Sequence, residues 1–205
     1  MLQIQTLIVG QLQTNCYLVS GDKSHETLIV DPGDDASYIA EKIAAAHLEP
    51  TQILATHGHF DHILGAFELQ QIFSIPFFIH PNDLFLLHRM RETAEHYLGI
   101  PVIEPPPVNP KDLSKNMKIS LGQTYLEVLE TPGHTPGGVS FYSQKDSICF
   151  TGDTVFAGGA IGDWRHAYSD KQLVLRSVHE VASLPKQTLL YPGHGDQTTV
   201  ADIHI

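Results

Sequence analysis

The chain has 205 residues, of which 42% are hydrophobic and 17% are charged, as in an ordinary globular protein long enough to bury a substantial core. Asp and Glu number 23 against 12 Lys and Arg, so the formal net charge is −11. Because a nucleic-acid-binding face needs a basic stripe, this charge argues against a nucleic-acid partner. No apolar run in the sequence approaches the roughly 20 residues of a membrane-spanning helix, so we expect no membrane partner.

The N-terminal residues 1–5 carry neither a basic segment nor a long apolar core, so they do not resemble a secretory signal. Cys16 and Cys149 each lie in an apolar, strand-like run, which indicates buried thiols rather than a disulfide. These features predict a soluble, cytoplasmic protein.

Apolar runs bounded by turn residues predict strands over residues 2–9, 16–20, 27–30, 52–55, 77–79, 117–120, 125–130, 139–142, 147–150 and 188–191. Helical spacing of apolar residues predicts helices over residues 36–47, after Asp61, over 82–98 and over about 169–184. Asp34 or Asp35 is suited to cap the first helix, and Ser169 or Asp170 the last. This order of elements predicts two sheets between layers of helices.

Five prolines fall within residues 101–112, which predicts a semi-rigid segment rather than a regular element. We interpret residues 1–205 as a single domain of two αβ halves joined near residues 101–116. The alternative is a flap over a functional site. Together with the helix at 82–98, the segment is expected to form one wall of a pocket.

The segment Thr56-His57-Gly58-His59-Phe60-Asp61-His62, called the heptad below, places three histidines and an aspartate within six residues. Neutral imidazole and carboxylate are the usual ligands of zinc and similar divalent ions. Buried structural histidines ordinarily occur singly, each with its own hydrogen-bond partners, so this density of histidines predicts a metal site.

Four predicted strands end at a Gly-containing or tight turn that is followed by a ligand-type residue, and glycine or proline there fixes the direction of the next side chain. If these strand ends share one edge, seven ligand-type residues converge: His57, His59, Asp61, His62, His134, Asp153 and His194. Seven ligands suffice for two ions with positions left open for water and substrate, whereas a structural zinc is normally closed by four.

The heptad resembles the T-H-x-H-x-D-H signature of the metallo-β-lactamase superfamily. The segments 131–138 (TPGHTPGG), 150–156 (FTGDTVF) and 192–195 (PGHG) resemble its later motifs, in order, and with Asp31 they span about residues 14–199. Within the superfamily the chain resembles above all the hydroxyacylglutathione hydrolases (glyoxalase II), especially their short bacterial members. The resemblance implies a four-layer αββα sandwich of mainly antiparallel, mixed sheets with the metals at the sheet edge.

Residue by residue, the resemblance implies one ion at His57, His59 and His134 and another at Asp61, His62 and His194, bridged by Asp153. It places Asp61, His62 and Asp153 at the reaction centre itself. Asp31 is expected to support the ligand loop by hydrogen bonding without being a ligand; an ordinary turn residue before Pro32 is the alternative.

These features predict a hydrolase that cleaves a small acyl thioester or ester. Two divalent ions, zinc with iron or manganese as alternatives, would lower the pKa of a shared water to give hydroxide as nucleophile and would hold the oxyanion. A thiolate leaving group needs little help from an acid, which favours a hydroxyacylglutathione-like thioester.

Other activities use the same motifs. A lactonase or other carboxylic ester hydrolase is one alternative, and a persulfide dioxygenase with one iron at His57, His134 and Asp153 is another. A zinc β-lactamase is disfavoured because such enzymes usually have Cys or Ser where Asp153 stands, and an RNA nuclease is disfavoured by the charge. A non-catalytic metal-binding module is also disfavoured, because it does not need all seven ligand-type residues.

Substrate recognition is less defined by the sequence. The chain lacks the C-terminal helical region with which long glyoxalase II enzymes hold glutathione, so no separate glutathione-binding domain is expected. The expected substrate residues are Phe156, Asp163, Trp164, Arg165 and His166, with Phe60 and Tyr168 as further pocket residues. Asp163 falls where those enzymes usually place Lys or Arg, which is unfavourable for an anionic substrate unless Arg165 substitutes. His80 also follows a strand, but no motif includes it.

Overall fold

The computed structural model describes residues 1–21 and 25–204, and within them the strands form two six-stranded sheets. The first sheet contains, in spatial order, β1 (Leu2–Val9), β2 (Thr14–Gly21), β3 (Glu26–Val30), β4 (Glu49–Leu54), β5 (Phe77–Ile79) and β6 (Lys111–Asp112). The second contains β12 (Thr198–Thr199), β11 (Leu189–Pro192), β10 (Ile148–Gly152), β9 (Val139–Ser143), β8 (Thr124–Glu130) and β7 (Lys118–Leu121). Each of the ten predicted strands is present.

Both sheets are mixed. Strands β3 to β6 run parallel, and a parallel pair needs a crossover connection. The helices supply these crossovers: α1 (Ala36–Ala45), α2 (Phe60–Ile63) with α3 (Ala66–Phe73), and α4 (Leu84–Leu98) in the first sheet, and α5 (Lys171–Ala182) between the parallel strands β10 and β11. The other pairings are antiparallel. No helix in the described part of the chain is long and apolar enough to cross a lipid bilayer.

The core lies in three layers because the inner strands are buried on both faces. On β3, Leu28 and Val30 point between the sheets, where they meet Phe141 and Phe150 of the second sheet. Ile29 points the other way, towards α1 to α4. A third cluster packs α5 against the second sheet, and Cys149 lies in it as a free, buried thiol. This confirms the predicted αββα sandwich.

Helix boundaries differ from the predictions in two places. Asp35 precedes α1 but does not cap it: it has a left-handed backbone (φ 52°), and its Oδ2 accepts from the Gly10 backbone N–H at 3.0 Å. The predicted capping role of Asp34 or Asp35 is therefore wrong, whereas Asp170 caps α5 as expected. The helix predicted after Asp61 is two short helices, because the chain turns at Gly65, whose N–H donates to Pro32 O at 3.0 Å.

The proline-rich segment 101–112 ends in β6, beside β5, and the chain then enters the second sheet. Its backbone is held by helix side chains. Gln70 of α3 bonds both the N–H and the carbonyl of Val108, at 2.9 and 3.1 Å, and Arg91 of α4 donates to Val102 O at 3.1 Å. The segment therefore lies against α3 and α4.

Candidate metal centre

The strand directions bring the ligand loops to one edge of the sandwich. Strands β8, β10 and β11 run the same way, because β9 is antiparallel to β8 and β10 while β10 and β11 are parallel. Their following loops carry His134, Asp153 and His194. The heptad follows β4 of the first sheet, and the N–H of Val139 donates to Thr56 O at 2.8 Å. This bond joins the two sheets beside the ligands.

The first ligand group is His57, His59 and His134. His59 Nδ1 lies 3.0 Å from His57 Nε2 and 3.0 Å from His134 Nε2. One hydrogen on a ring nitrogen cannot satisfy two neighbouring nitrogens at once. Nitrogens at about 2.0–2.1 Å from a tetrahedral zinc lie about 3.3 Å apart. The spacing therefore fits a shared cation.

The second group is Asp61, His62 and His194. His194 Nε2 lies 3.3 Å from His62 Nε2 and 3.3 Å from Asp61 Oδ2, and His62 Nε2 lies 3.7 Å from the same carboxylate oxygen. Two imidazoles and a carboxylate with these spacings form a second potential cation site beside the first.

Asp153 lies between the two groups. Its Oδ1 is 3.4 Å from His62 Nε2, and its Oδ2 is 3.6 Å from His134 Nε2. Oδ1 is buried and has no hydrogen-bond partner in the described part of the chain. A buried carboxylate oxygen without a partner is costly, and a cation in the second group would satisfy it.

Each of the five histidines has its other ring nitrogen anchored. The partners are Thr56 Oγ1 for His57 (3.1 Å), Tyr168 Oη for His59 (2.8 Å), Asp31 Oδ2 for His62 (3.0 Å), Asp163 O for His134 (2.8 Å) and Leu12 O for His194 (3.1 Å). Metal-ligating histidines characteristically make such a bond, which fixes the tautomer and the ring orientation. The donor set therefore fits metal ions.

Asp31 is buried under the heptad. Its Oδ1 accepts from the Thr56 N–H at 2.7 Å, and its Oδ2 accepts from the Thr56 hydroxyl at 2.7 Å and faces His62 Nδ1. Asp31 thus ties the start of the heptad to a ligand on α2, which is the supporting position that the sequence resemblance implied.

Sequence reasoning missed Asp83, which is fully buried in the short 3-10 turn before α4. Its carboxylate accepts from the Gly58 N–H at 2.9 Å, the Thr135 hydroxyl at 2.7 Å and the Gly137 N–H at 2.6 Å. Asp83 therefore holds the heptad and the His134 loop together. A single Asp at a helix start gives no local signal of such a role.

The electrostatics of the site also favour cations. Burial and the neighbouring histidines lower the pKa of His57, and burial with nearby His134 lowers that of His59 to about 3, so both rings are neutral. Burial alone would lower the pKa of His62, but Asp153, Asp61 and Asp31 raise it well above its usual value. Because three carboxylates surround His62, positive charge is favoured at this point.

A cavity of about 680 Å³ opens beside the two groups. One side is formed by ligand residues, and the facing wall is formed by α4 through Leu86, Arg89, Glu92, Thr93, His96 and Tyr97. Phe60, Asp163, His166 and Tyr168 also line it. Residues 101–112 are not among its lining residues, so only the helix half of the predicted wall is present.

Three expected substrate residues lie outside this lining. Lys171 covers the ring of Trp164, and Phe156 lies with its ring centre 6.4 Å from that of His194. Arg165 forms a bidentate ion pair with Asp163 at 2.8–3.0 Å. The two charges of this pair compensate each other. Arg165 therefore does not replace the free positive charge of the Lys or Arg that glyoxalase II enzymes usually have where Asp163 stands.

The remaining histidines are not ligands of the two groups. His166 stacks on Tyr168, with ring centres 5.2 Å apart and planes at 8°. His80 lies away from the cavity, with its Nε2 3.5 Å from Glu130 Oε1.

The sequence profile of the Metallo-beta-lactamase superfamily matches residues 9–194. The chain is 35% identical to the probable metallo-hydrolase YqgX of Bacillus subtilis, over 94% of this chain and 90% of that protein. It is 30% identical to the hydroxyacylglutathione hydrolase GloC of Haemophilus influenzae, over 97% of this chain and 93% of that protein.

Two solved structures have a closely similar fold. The crystal structure of BLEG-1, a B3 metallo-β-lactamase, has a TM-score of 0.88 at 33% identity and covers 98% of this chain and 95% of its own. TTHA1623, solved in a di-iron-bound form, has a TM-score of 0.86 at 31% identity and covers 96% of this chain and 95% of its own. The profile match includes every ligand loop described above, so family and geometry both indicate divalent metal binding at these His and Asp groups.

Proposed function

The chain belongs to the metallo-β-lactamase superfamily and is a metallo-hydrolase of that superfamily, and we propose that it hydrolyses a small acyl thioester of the hydroxyacylglutathione type with two divalent ions, zinc in preference to iron or manganese. The observation that carries the proposal is the pair of ligand groups that share Asp153 and face one cavity.

The dinuclear character is supported by the completeness of both groups. A single iron at His57, His134 and Asp153, as in the dioxygenase alternative, would leave Asp61, His62 and His194 gathered without a function. The likeness to the di-iron form of TTHA1623 supports two ions and makes iron the alternative to zinc.

The chain's own residues define what the site can do. When bound, two divalent ions supply an acidified water as nucleophile and a Lewis acid for the carbonyl. His57, His59 and His134 would hold one ion and Asp61, His62 and His194 the other, with Asp153 between them. The anchored rings keep these side chains in place, so the site is organised before the substrate binds.

The leaving group favours a thioester over an alkyl ester. A thiol has a pKa near 8.5, so a thiolate departs at neutral pH without receiving a proton. An alkoxide needs a proton donor. Asp61 and Asp153 stay ionised, since nearby histidines hold their pKa values below the usual range although burial opposes this. Neither carboxyl group is therefore an acid at neutral pH.

A second candidate is hydrolysis of a cyclic ester or amide, since BLEG-1 is named a B3 metallo-β-lactamase and is 33% identical to this chain. We rank it below the thioester because the ring-opened product of a lactam or lactone does not leave as a thiolate.

The test combines metal analysis with a substrate panel. Purified protein would be analysed for zinc, iron and manganese and assayed with S-lactoylglutathione, an uncharged thioester, a lactone, a β-lactam and glutathione persulfide. Two equivalents of metal with thioester turnover, lost on chelation and restored by zinc, support the proposal. One iron with oxygen uptake on the persulfide, or turnover of only the lactone or lactam, would overturn it.

A further inference from the structure

The orientation of His59 determines the protons around Tyr168. The Nδ1 of His59 faces the other two histidines of the first group, and its Nε2 lies 2.8 Å from Tyr168 Oη. A neutral imidazole that offers a lone pair at Nδ1 carries its hydrogen at Nε2. When Nδ1 holds an ion of the first group, the Nε2–H of His59 would donate to Tyr168 Oη, and the hydrogen of the tyrosine hydroxyl would remain free to donate elsewhere.

Two aromatic contacts hold the ring of Tyr168 on the cavity lining. It stacks on His166, and its ring centre is 5.4 Å from that of Phe85 in an edge contact. In the described part of the chain, the hydroxyl makes no hydrogen bond other than the one with His59.

Arg89 lies on the same cavity lining as Tyr168, one helical turn after Phe85, whose ring Tyr168 contacts. It is four residues after Phe85 on α4, and residues at i and i+4 are neighbours on one helix face. Arg89 and Tyr168 both line the cavity. Within residues 1–21 and 25–204, Arg89 forms no ion pair or hydrogen bond. Arg165, by contrast, is ion-paired with Asp163.

The acidic groups on the lining other than the metal-site carboxylates are Glu92 and Asp163. Asp163 is neutralised by Arg165. Glu92 is three residues after Arg89 on α4 but forms no ion pair with it in the described part of the chain. The cavity lining thus carries an arginine without an ion pair in the described part of the chain and a tyrosine hydroxyl that faces His59. The hydroxyl lies against Nε2 of His59 and not against Nδ1, which faces the other ligands of the first group.

We propose that Arg89 and Tyr168 form a subsite for a carboxylate of the substrate, set apart from the metal groups. The guanidinium and the hydroxyl both donate to the carboxylate oxygens, an arrangement that favours anions over neutral groups. The subsite rests on the proposed function for its place in catalysis, and it selects thioesters that carry a carboxylate on either the acyl or the thiol side.

A kinetic comparison tests the subsite. The acyl arm compares S-succinyl- with S-butyryl-N-acetylcysteamine, and the thiol arm compares S-acetyl-3-mercaptopropionate with its methyl ester. We expect kcat/KM to be at least about tenfold higher for the carboxylate member in one arm. Arg89→Ala should abolish that preference and Tyr168→Phe should reduce it. The control Arg176→Ala, which changes an exposed arginine of α5 outside the cavity lining, should preserve it.

A binding experiment keeps the subsite testable if no thioester is hydrolysed. Calorimetry on the metal-loaded protein would compare succinate, glutarate and adipate with monocarboxylates of equal length. The best dicarboxylate should bind at least about fivefold more tightly than its monocarboxylate, and Arg89→Ala should remove the difference. Equal affinities in the wild type, or a difference that survives in Arg89→Ala, would overturn the subsite even if thioester turnover is observed; loss of turnover alone would overturn only the proposed reaction.

Discussion

The carboxylate of Asp83 accepts a 2.9 Å hydrogen bond from the backbone N–H of Gly58, inside the heptad. The same carboxylate also accepts from the Thr135 hydroxyl and the Gly137 N–H, next to His134. One buried side chain from the start of α4 therefore fixes the distance between the two ligand loops.

Asp83→Asn should be almost as damaging as Asp83→Ala. All three partners are donors, and an asparagine amide replaces one accepting oxygen with a further donor. Each buried donor left without a partner costs about 1–3 kcal/mol, so both variants should unfold at lower denaturant concentration and bind metal more weakly. Urea unfolding and metal titration measure this, with the exposed neighbour change Asn82→Ala as control. Wild-type stability in Asp83→Asn would contradict the role assigned to these bonds.

Gly193→Ala should damage the metal centre without changing the fold. A Cβ there would overlap Asp153 Oδ1 and lie 2.6 Å from His62 Cε1. We expect far-UV circular dichroism like that of the wild type and the loss of at least one metal equivalent. Gly195→Ala is the control, because no atom lies within 4 Å of its added Cβ, although its positive φ of 74° adds backbone strain. Two tightly bound ions in Gly193→Ala would show that the two metal groups tolerate a shift of Asp153.

Asp31→Asn should weaken the second group. Asparagine tolerates the left-handed backbone of this position (φ 52°), so the change removes the negative charge and one of the two oxygens that accept from Thr56 and face His62. Loss of such a partner typically lowers metal affinity about 10–100-fold. Competition with a chelator measures the affinity, and Asp34→Asn, nearby and outside the metal centre, is a matched control. Unchanged affinity would mean that His62 does not need the carboxylate.

The ion pair of Asp163 and Arg165 has a defined pH dependence. The hydrogen bonds from Arg165 hold the pKa of Asp163 at about 2, below its ordinary 3.8. Since the folded-state pKa is depressed, the stability from the pair is present above the unfolded pKa and is lost as pH falls towards about 2; it is small because the pair is exposed. Arg165→Ala should raise the Asp163 pKa towards 3.8 in an NMR titration.

The Arg165→Ala variant also distinguishes the role of the Asp163 side chain from that of the Asp163 backbone. His134 Nδ1 bonds the backbone carbonyl of Asp163, not its carboxylate. Metal affinity at pH 7 should therefore be unchanged in Arg165→Ala. A parallel loss of metal would mean that the ion pair positions the loop that holds His134.

The convergence of the ligand-type residues was predictable because each lies in the loop or helix start that follows a strand, and strand direction then decides the edge. Asp83 and Tyr168 were not predictable in their observed roles, since each meets its partner only across the assembled fold. The strands β6 and β12 have two residues each, too few to show a period. Asp35 fits a capping pattern, but tertiary contact with Gly10 competes for its carboxylate. Segment 101–112 lies against α3 and α4, contacts that its composition does not encode.

The ligand loops belong to both sheets: His57 and His59 follow β4 in the first, and His134 follows β8 in the second. An ion held by these three side chains closes a long loop of the polypeptide, as a disulfide would, and reduces the conformational entropy of the unfolded chain. Unfolding must release the ion, so stability should rise with the concentration of free metal. The ions proposed for catalysis would thus also act as a reversible cross-link between the two halves of the sandwich.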